Sequence, residues 1–192
     1  MTSLLSLQSP LKSIWWPSKS YKLITEIALI AVGLCLLTLS SKITIPLSPV
    51  PITLQTMTIF FIGMTYGMRR SLVTILSFYG LIILGLPVSS GANGLIGLPV
   101  FLGPTGGYIV GWAFAMVISG YLVENGWGKN IIGVFLAQLL GSLALYFFGV
   151  MQLSFFVGLD KALLTGLTPF LYGDFLKIMT LSLIVPFFWR TK

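Results

Sequence analysis

The sequence predicts an all-α integral membrane protein, a single domain of six transmembrane helices across residues 1–192. Three observations carry that prediction. Charged residues make up only 8% of the chain, where soluble domains hold about 25%, and the mean hydropathy is +1.01. Apolar segments of helical length recur six times between polar or Pro/Gly-rich breaks. The cations also sort by face. Six spans place both termini on one side, together with Lys12, Lys19, Lys22, Arg69, Arg70, Lys129, Arg190 and Lys192, whereas the opposite loops hold only Lys42 and Lys161. That excess puts both termini in the cytoplasm and the long loops on the outer face.

Residues 1–20 lack a cationic start, apolar core and small-residue cleavage site in succession, so they do not read as a signal peptide. Trp15 and Trp16, with Lys12, Lys19 and Lys22, instead form a cytoplasmic or interfacial anchor. The first span is Tyr21 to Ser40. Ile45 to Thr56 (IPLSPVPITLQT) follows, where three prolines break any helix and favour extended backbone. The second span runs from Ile52 to Met68 and is ended by Arg69-Arg70; the third runs from Ser71 to Leu86. At about 1.5 Å per residue both are shorter than a ~30 Å hydrocarbon core, which suggests that the adjoining loops dip into the membrane over a cavity.

Gly85 to Tyr108 is rich in glycine and proline and has no Lys, Arg, Asp or Glu. An uncharged loop of this kind between spans reads as a partly buried lid or re-entrant element. Within it Gly85-Leu-Pro-Val88 recurs as Gly97-Leu-Pro-Val100, which predicts two similar turns. The fourth span is Thr105 to Val123, Glu124 to Lys129 is a polar turn, and the fifth span is Asn130 to Val150. Met151 to Leu171, mixed apolar and glycine, is expected to be a second long irregular outer connection. The sixth span is Asp174 to Trp189.

The composition excludes several chemistries. There is no histidine and one cysteine, Cys35, inside the first span. A disulfide framework, an ordinary His/Cys metal site and Ser-His or Cys-His catalysis fall away. No paired carboxylates, P-loop or basic nucleic-acid surface appears. No catalytic residue, metal or cofactor is expected, and the chain reads as a non-enzyme. Of four acidic residues, Asp174 stands apart: it opens the sixth span with Lys177 three residues on, on one helix face. Aspartate there is either an N-cap or one of the costly intramembrane ionisable groups that mark sites. Gln55 near the outer end of the second span and Asn93 in the glycine stretch fall on the same face. Polar groups converging on an apolar, aromatic cavity make a small-molecule site.

Taken in order, IPLSPVPITLQ at 45–55, GLPV at 85–88, GANG at 91–94, GPTGGY at 103–108 and PFLYGDFLK at 169–177 resemble the BioY family. These are the biotin-specific substrate-binding (S) subunits of energy-coupling factor (ECF) transporters. The resemblance implies a six-helix protein of the cell membrane that captures biotin from outside, associates with a transmembrane coupling subunit and two cytoplasmic ATPases, and topples to release its vitamin inside. It also implies binding roles for Asn93, Asp174 and Lys177. A carboxylate at Asp174 can accept from a ureido N–H, and Lys177 can donate to the ureido oxygen or neutralise Asp174. Asn93 can do either. Phe101, Leu102 and Tyr108 are expected as apolar walls, and Gly106 and Gly107 as points of close backbone approach or lid motion, where valine should impede capture without harming the spans. An S subunit for another vitamin, or a self-sufficient small-molecule transporter, remains the alternative.

Overall fold

A computed structural model of the chain describes residues 22–90 and 95–189. The N-terminal segment 1–20, Asn93, Arg190 and Lys192 therefore lie outside the described residues. Among the described residues, the regular structure apart from one two-stranded hairpin is helical.

Helix α1 (Lys22–Lys42) is apolar nearly all round, and most of its surface faces outward. In its last turns the hydroxyls of Ser40 and Ser41 donate to the carbonyls of Leu37 and Thr38. The Pro-rich stretch then forms a hairpin, β1 (Thr44–Ile45) against β2 (Ile52–Thr53), antiparallel with Thr44 opposite Thr53. Proline confines the pairing to these short ends, because it supplies no ladder donor.

Helices α2 (Gln55–Tyr66) and α3 (Met68–Ile83) meet at Gly67, whose φ of 80° gives the abrupt turn. The break precedes Arg69 and Arg70, so these open α3 and do not close the span before it. Arg70 grips Glu26 of α1 with two nitrogens, one at 2.7 Å. Ser71, Thr74, Ile75, Phe78 and Ile82 of α3 are buried, a stripe at helical spacing, while Leu72, Val73 and Leu76 point outward.

Helix α5 (Gly106–Glu124) is the central element, with 61% of its apolar window buried. It crosses α2 closely: a Cβ on Gly120 would meet the Gly63 carbonyl at 2.7 Å. A 3-10 turn (Trp127–Lys129) leads to α6 (Ile131–Val157), capped by the Asn130 side chain accepting from Gly133 N–H at 2.7 Å. Helices α1, α5 and α6 are long and apolar enough to cross a membrane, as is the helical stretch Leu159–Trp189. With Leu, Ile and Phe side chains over much of the exterior, this is an all-helical membrane protein.

The expected second irregular connection is absent. Helix α6 continues seven residues past Val150 to Val157, turns at Gly158 (φ 83°), and is followed by α7 (Leu159–Gly166) and α8 (Thr168–Trp189). Residues 151–157 contain neither glycine nor proline to stop the helix, and Pro169 falls in the first turn of α8, where proline is tolerated. The final helix thus begins six residues before Asp174, which is no N-cap. By contrast, residues 84–90 and 95–98 are irregular and lead into the short helix α4 (Pro99–Leu102). Both Gly85 and Gly97 have positive φ, 80° and 75°, so the repeated GLPV units begin alike. The second then enters α4 and the first does not.

Candidate functional site

Lysine in an apolar helix needs acceptors, and α8 supplies one at the right spacing. Lys177 Nζ donates to Asp174 Oδ1 at 2.9 Å, one helical turn back. Its other contacts come from the opposite wall: the Thr53 carbonyl of β2 at 2.9 Å and Thr56 Oγ1 of α2 at 2.8 Å. Thr56 in turn donates to Asp174 Oδ1 at 3.4 Å, and Tyr146 of α6 donates to Asp174 Oδ2. The ion pair is largely withdrawn from solvent, with side-chain exposures of 15% for Lys177 and 11% for Asp174. Each charge is therefore paired and hydrogen-bonded, as burial of an ion demands.

This cluster borders a cavity. Val50, Pro51 and Thr53 of the hairpin cover one side, with Gln55 and Thr56 beside them. Ser89 and Ser90 come from the irregular segment and Val100 from α4. Thr105, Tyr108 and Trp112 line it from the α5 side, Leu145 and Tyr146 from α6, and Phe170 and Lys177 from α8. Three aromatic rings make a fixed box. Tyr108 stacks on Phe170 with centroids 6.4 Å apart, and Tyr146 stands edge-on to Tyr108 at 6.4 Å. The Tyr108 hydroxyl donates to the Gly166 carbonyl at 2.8 Å, which pins the α7–α8 junction against α5.

Gln55 is fully buried at the first turn of α2. Its Nε2 donates to the Leu37 carbonyl at 3.3 Å, while its Oε1 has no hydrogen-bond partner among the described residues. A buried acceptor left open at a cavity wall is costly unless something donates to it. The chemistry on offer is recognition of a small molecule with N–H donors and an apolar body.

The irregular wall is held by other elements gripping its backbone. Ser41 donates to the Val88 carbonyl at 3.0 Å, and Lys42 to the carbonyls of Pro87 at 2.7 Å and Ser89 at 3.2 Å. Gln152 of α6 donates to the carbonyls of Phe101 and Gly103, both at 2.8 Å.

Of the expected site residues, Gln55, Tyr108 and Lys177 line the cavity, and Asp174 joins through Lys177 and Tyr146. Phe101 does not line it; its ring packs edge-on against Tyr79 at 5.4 Å. Leu102 faces outward, 70% exposed. Gly106 and Gly107 are packing points, not wall or hinge. A Cβ on Gly106 would lie 1.9 Å from the Phe101 carbonyl, and one on Gly107 2.1 Å from the Phe148 carbonyl. Valine at Gly106 would collide with the α4 backbone and at Gly107 with the α6 backbone, and so harm the packing of the spans. Asn93 is outside the described residues.

Sequence reasoning missed Tyr146, Thr56, Trp112 and Phe170. Thr56 and Phe170 lay inside quoted motifs, next to residues that were singled out. Tyr146 and Trp112 sit in spans that are hydrophobic all round, where no periodicity separates cavity from lipid.

The fold and site define an all-helical membrane protein with an aromatic cavity closed on one side by a buried ion pair. The chain belongs to the BioY family, whose model matches residues 10–192. Among similar proteins are a probable biotin transporter BioY from Pyrococcus horikoshii, 36% identical over 83% of this chain and 93% of its own, and a biotin transporter BioY from Rhizobium etli, 36% identical over 82% and 87%. A solved structure, the S-component for biotin from an ECF-type ABC transporter, superposes with a TM-score of 0.78 at 26% identity, covering 92% of this chain and 96% of that one.

Proposed function

We propose that this chain captures biotin at the outer face of the cell membrane, as the S subunit of an ECF-type importer. The observation that carries the reading is the buried Asp174–Lys177 pair beside a cavity that also presents the open acceptor Gln55 Oε1. Biotin's ureido ring brings two N–H donors and one carbonyl, which suits an acceptor-rich wall with an ammonium at its centre. The thiophane ring and aliphatic chain suit Tyr108, Trp112 and Phe170. Asn93, from the segment next to Ser89 and Ser90, is proposed as a further polar contact. The family relatives named for biotin support this ligand over other vitamins.

Six crossings with both termini cytoplasmic follow from the same reading. Glu124 lies beside Met68, Arg69 and Arg70, so the α2–α3 and α5–α6 turns share one end of the bundle. Trp189 Nε1 donates to the Met64 carbonyl at 3.2 Å and brings the chain's other end there too. The hairpin and Lys42 lie at the far end of α1. ATP hydrolysis would belong to two partner ATPases, with no chemistry in this chain. The exposed small and aliphatic face of α1, including Ala31, Val32, Cys35 and Leu36, is the proposed seat of the coupling subunit.

Titration calorimetry on the purified protein tests the ligand. Biotin should bind, and Asp174→Asn should weaken it by about 1.5–3 kcal/mol, the value of a charge-assisted hydrogen bond. Heat from thiamine or riboflavin but none from biotin would move the assignment to another vitamin. Biotin uptake in cells lacking every coupling module would make the chain self-sufficient.

A further inference from the structure

Asp174 is tied to one space and lines another. Its partners Lys177, Thr56 and Tyr146 line the cavity. Asp174 itself lines a long apolar groove between α6 and α8, roofed by α7, with residues such as Leu139, Phe147, Leu163 and Phe175. Tyr146 is the residue common to both linings. Its ring separates cavity from groove, and its hydroxyl donates to Asp174 Oδ2. The two carboxylate oxygens are held differently. Oδ1 accepts from Lys177 and Thr56, while Tyr146 is the partner of Oδ2 among the described residues.

We infer that Tyr146 is a positioning residue for the cavity: it ties Asp174 Oδ2 to a cavity-lining side chain and keeps the carboxylate from turning further into the apolar groove it borders. The inference rests on the reading of Asp174 as a ligand contact. Without the tether, rotation of the carboxylate about its bond to Cβ is limited only at Oδ1. One oxygen would then spend part of its time facing hydrocarbon-lined space, where an ion lacks partners. A ligand N–H would have to pull it back, and affinity would fall by that fraction. Phenylalanine in place of Tyr146 keeps the ring and the partition but removes the tether.

The experiment is a double-substitution cycle on the full chain in detergent, with wild type, Tyr146→Phe, Asp174→Asn and the double variant. Two quantities are read: biotin affinity by calorimetry and the thermal midpoint without biotin. Tyr146→Phe should weaken biotin about tenfold in the wild-type background. In the Asp174→Asn background the same substitution should change affinity less than about twofold, since no charged tether remains to lose. A Tyr146→Phe protein of full affinity overturns the inference. So does an equal loss in both backgrounds, which would make Tyr146 a packing residue alone. Wild-type protein that binds no biotin sinks the proposed function instead. The tether then stands on the unfolding cycle, where a midpoint loss confined to the Asp174 background supports it and equal losses overturn it.

Discussion

Two connections of this chain look alike in sequence and fold in opposite ways. Residues 84–90 and 95–98 are irregular; the carbonyls of Pro87 and Val88 are gripped from outside by Lys42 and Ser41, with Gln152 holding the α4 end. Residues 151–167 are helical and satisfy their own backbone, with α6 running to Val157 and α7 filling the rest. Glycine alone does not distinguish them, since both contain positive-φ glycines, Gly85 and Gly97 in one and Gly158 in the other. What differs is where the breaks fall. Pro87 follows directly on the turn at Gly85, and Pro99 and Pro104 leave room only for the single turn of α4 between them. Residues 151–157 hold neither glycine nor proline, and 159–165 hold neither, so α6 and α7 run undisturbed on either side of Gly158. The consequence reaches the site: because the second connection is helical, Asp174 and Lys177 sit inside a helix against other helices, and the pair is buried and not a solvated cap.

Lys177→Met gives the largest effect and tests that consequence directly. Loss of one partner strands Asp174 as a buried charge, so unfolding in detergent should show a cost of about 3 kcal/mol. Adding Asp174→Asn should return most of it, because the stranded charge is gone. If Asp174 were an exposed N-cap, Lys177→Met would cost only a few tenths of a kcal/mol, and the second substitution would make matters worse. The order of the single and double variants decides between the two.

The glycines of the two connections should differ next. Gly107, in the first turn of α5 just after the first connection, lies against α6, where an added Cβ would lie 2.1 Å from the Phe148 carbonyl. Backbone cannot step aside as a flexible side chain can, so Gly107→Ala should cost about 2–3 kcal/mol. Gly158 in the second has open space around its Cβ position and only its φ of 83° to object. Gly158→Ala should therefore cost about 1–2 kcal/mol. Thermal midpoints of the two variants give the ranking, and equal losses would mean that the close α5–α6 approach carries no special weight.

The sequence made much of this legible. The break around Pro46–Pro51, the long apolar helices α1, α5 and α6, and the one-turn spacing of Asp174 and Lys177 all follow from composition and spacing. Gln55 and Tyr108 were named for the cavity they line. The rest lacked a local signal. Gly106 and Gly107 read as a hinge because close approach and flexibility call for the same residue. Phe101 and Leu102 read as walls because the direction of an apolar side chain in a membrane protein depends on which neighbour fills the other side. Tyr146 had no polar neighbour in sequence to mark it, since its partner lies 28 residues away.

Gly173 offers the smallest effect and a clean discrimination. In the sequence it directly precedes Asp174, the expected first residue of the sixth span. In the structure it lies five residues after the first residue of α8, with nothing within 4 Å of where a Cβ would point. Glycine inside a helix carries extra backbone entropy in the unfolded chain and no packing benefit here. Gly173→Ala should therefore stabilise the protein by about 0.5–1 kcal/mol and leave biotin affinity unchanged, because the Asp174 and Lys177 side chains keep their places on the same helical face. A lower midpoint, or weakened binding, would show that the chain needs a turn at Gly173 and that the helical account of the second connection stops short of the site.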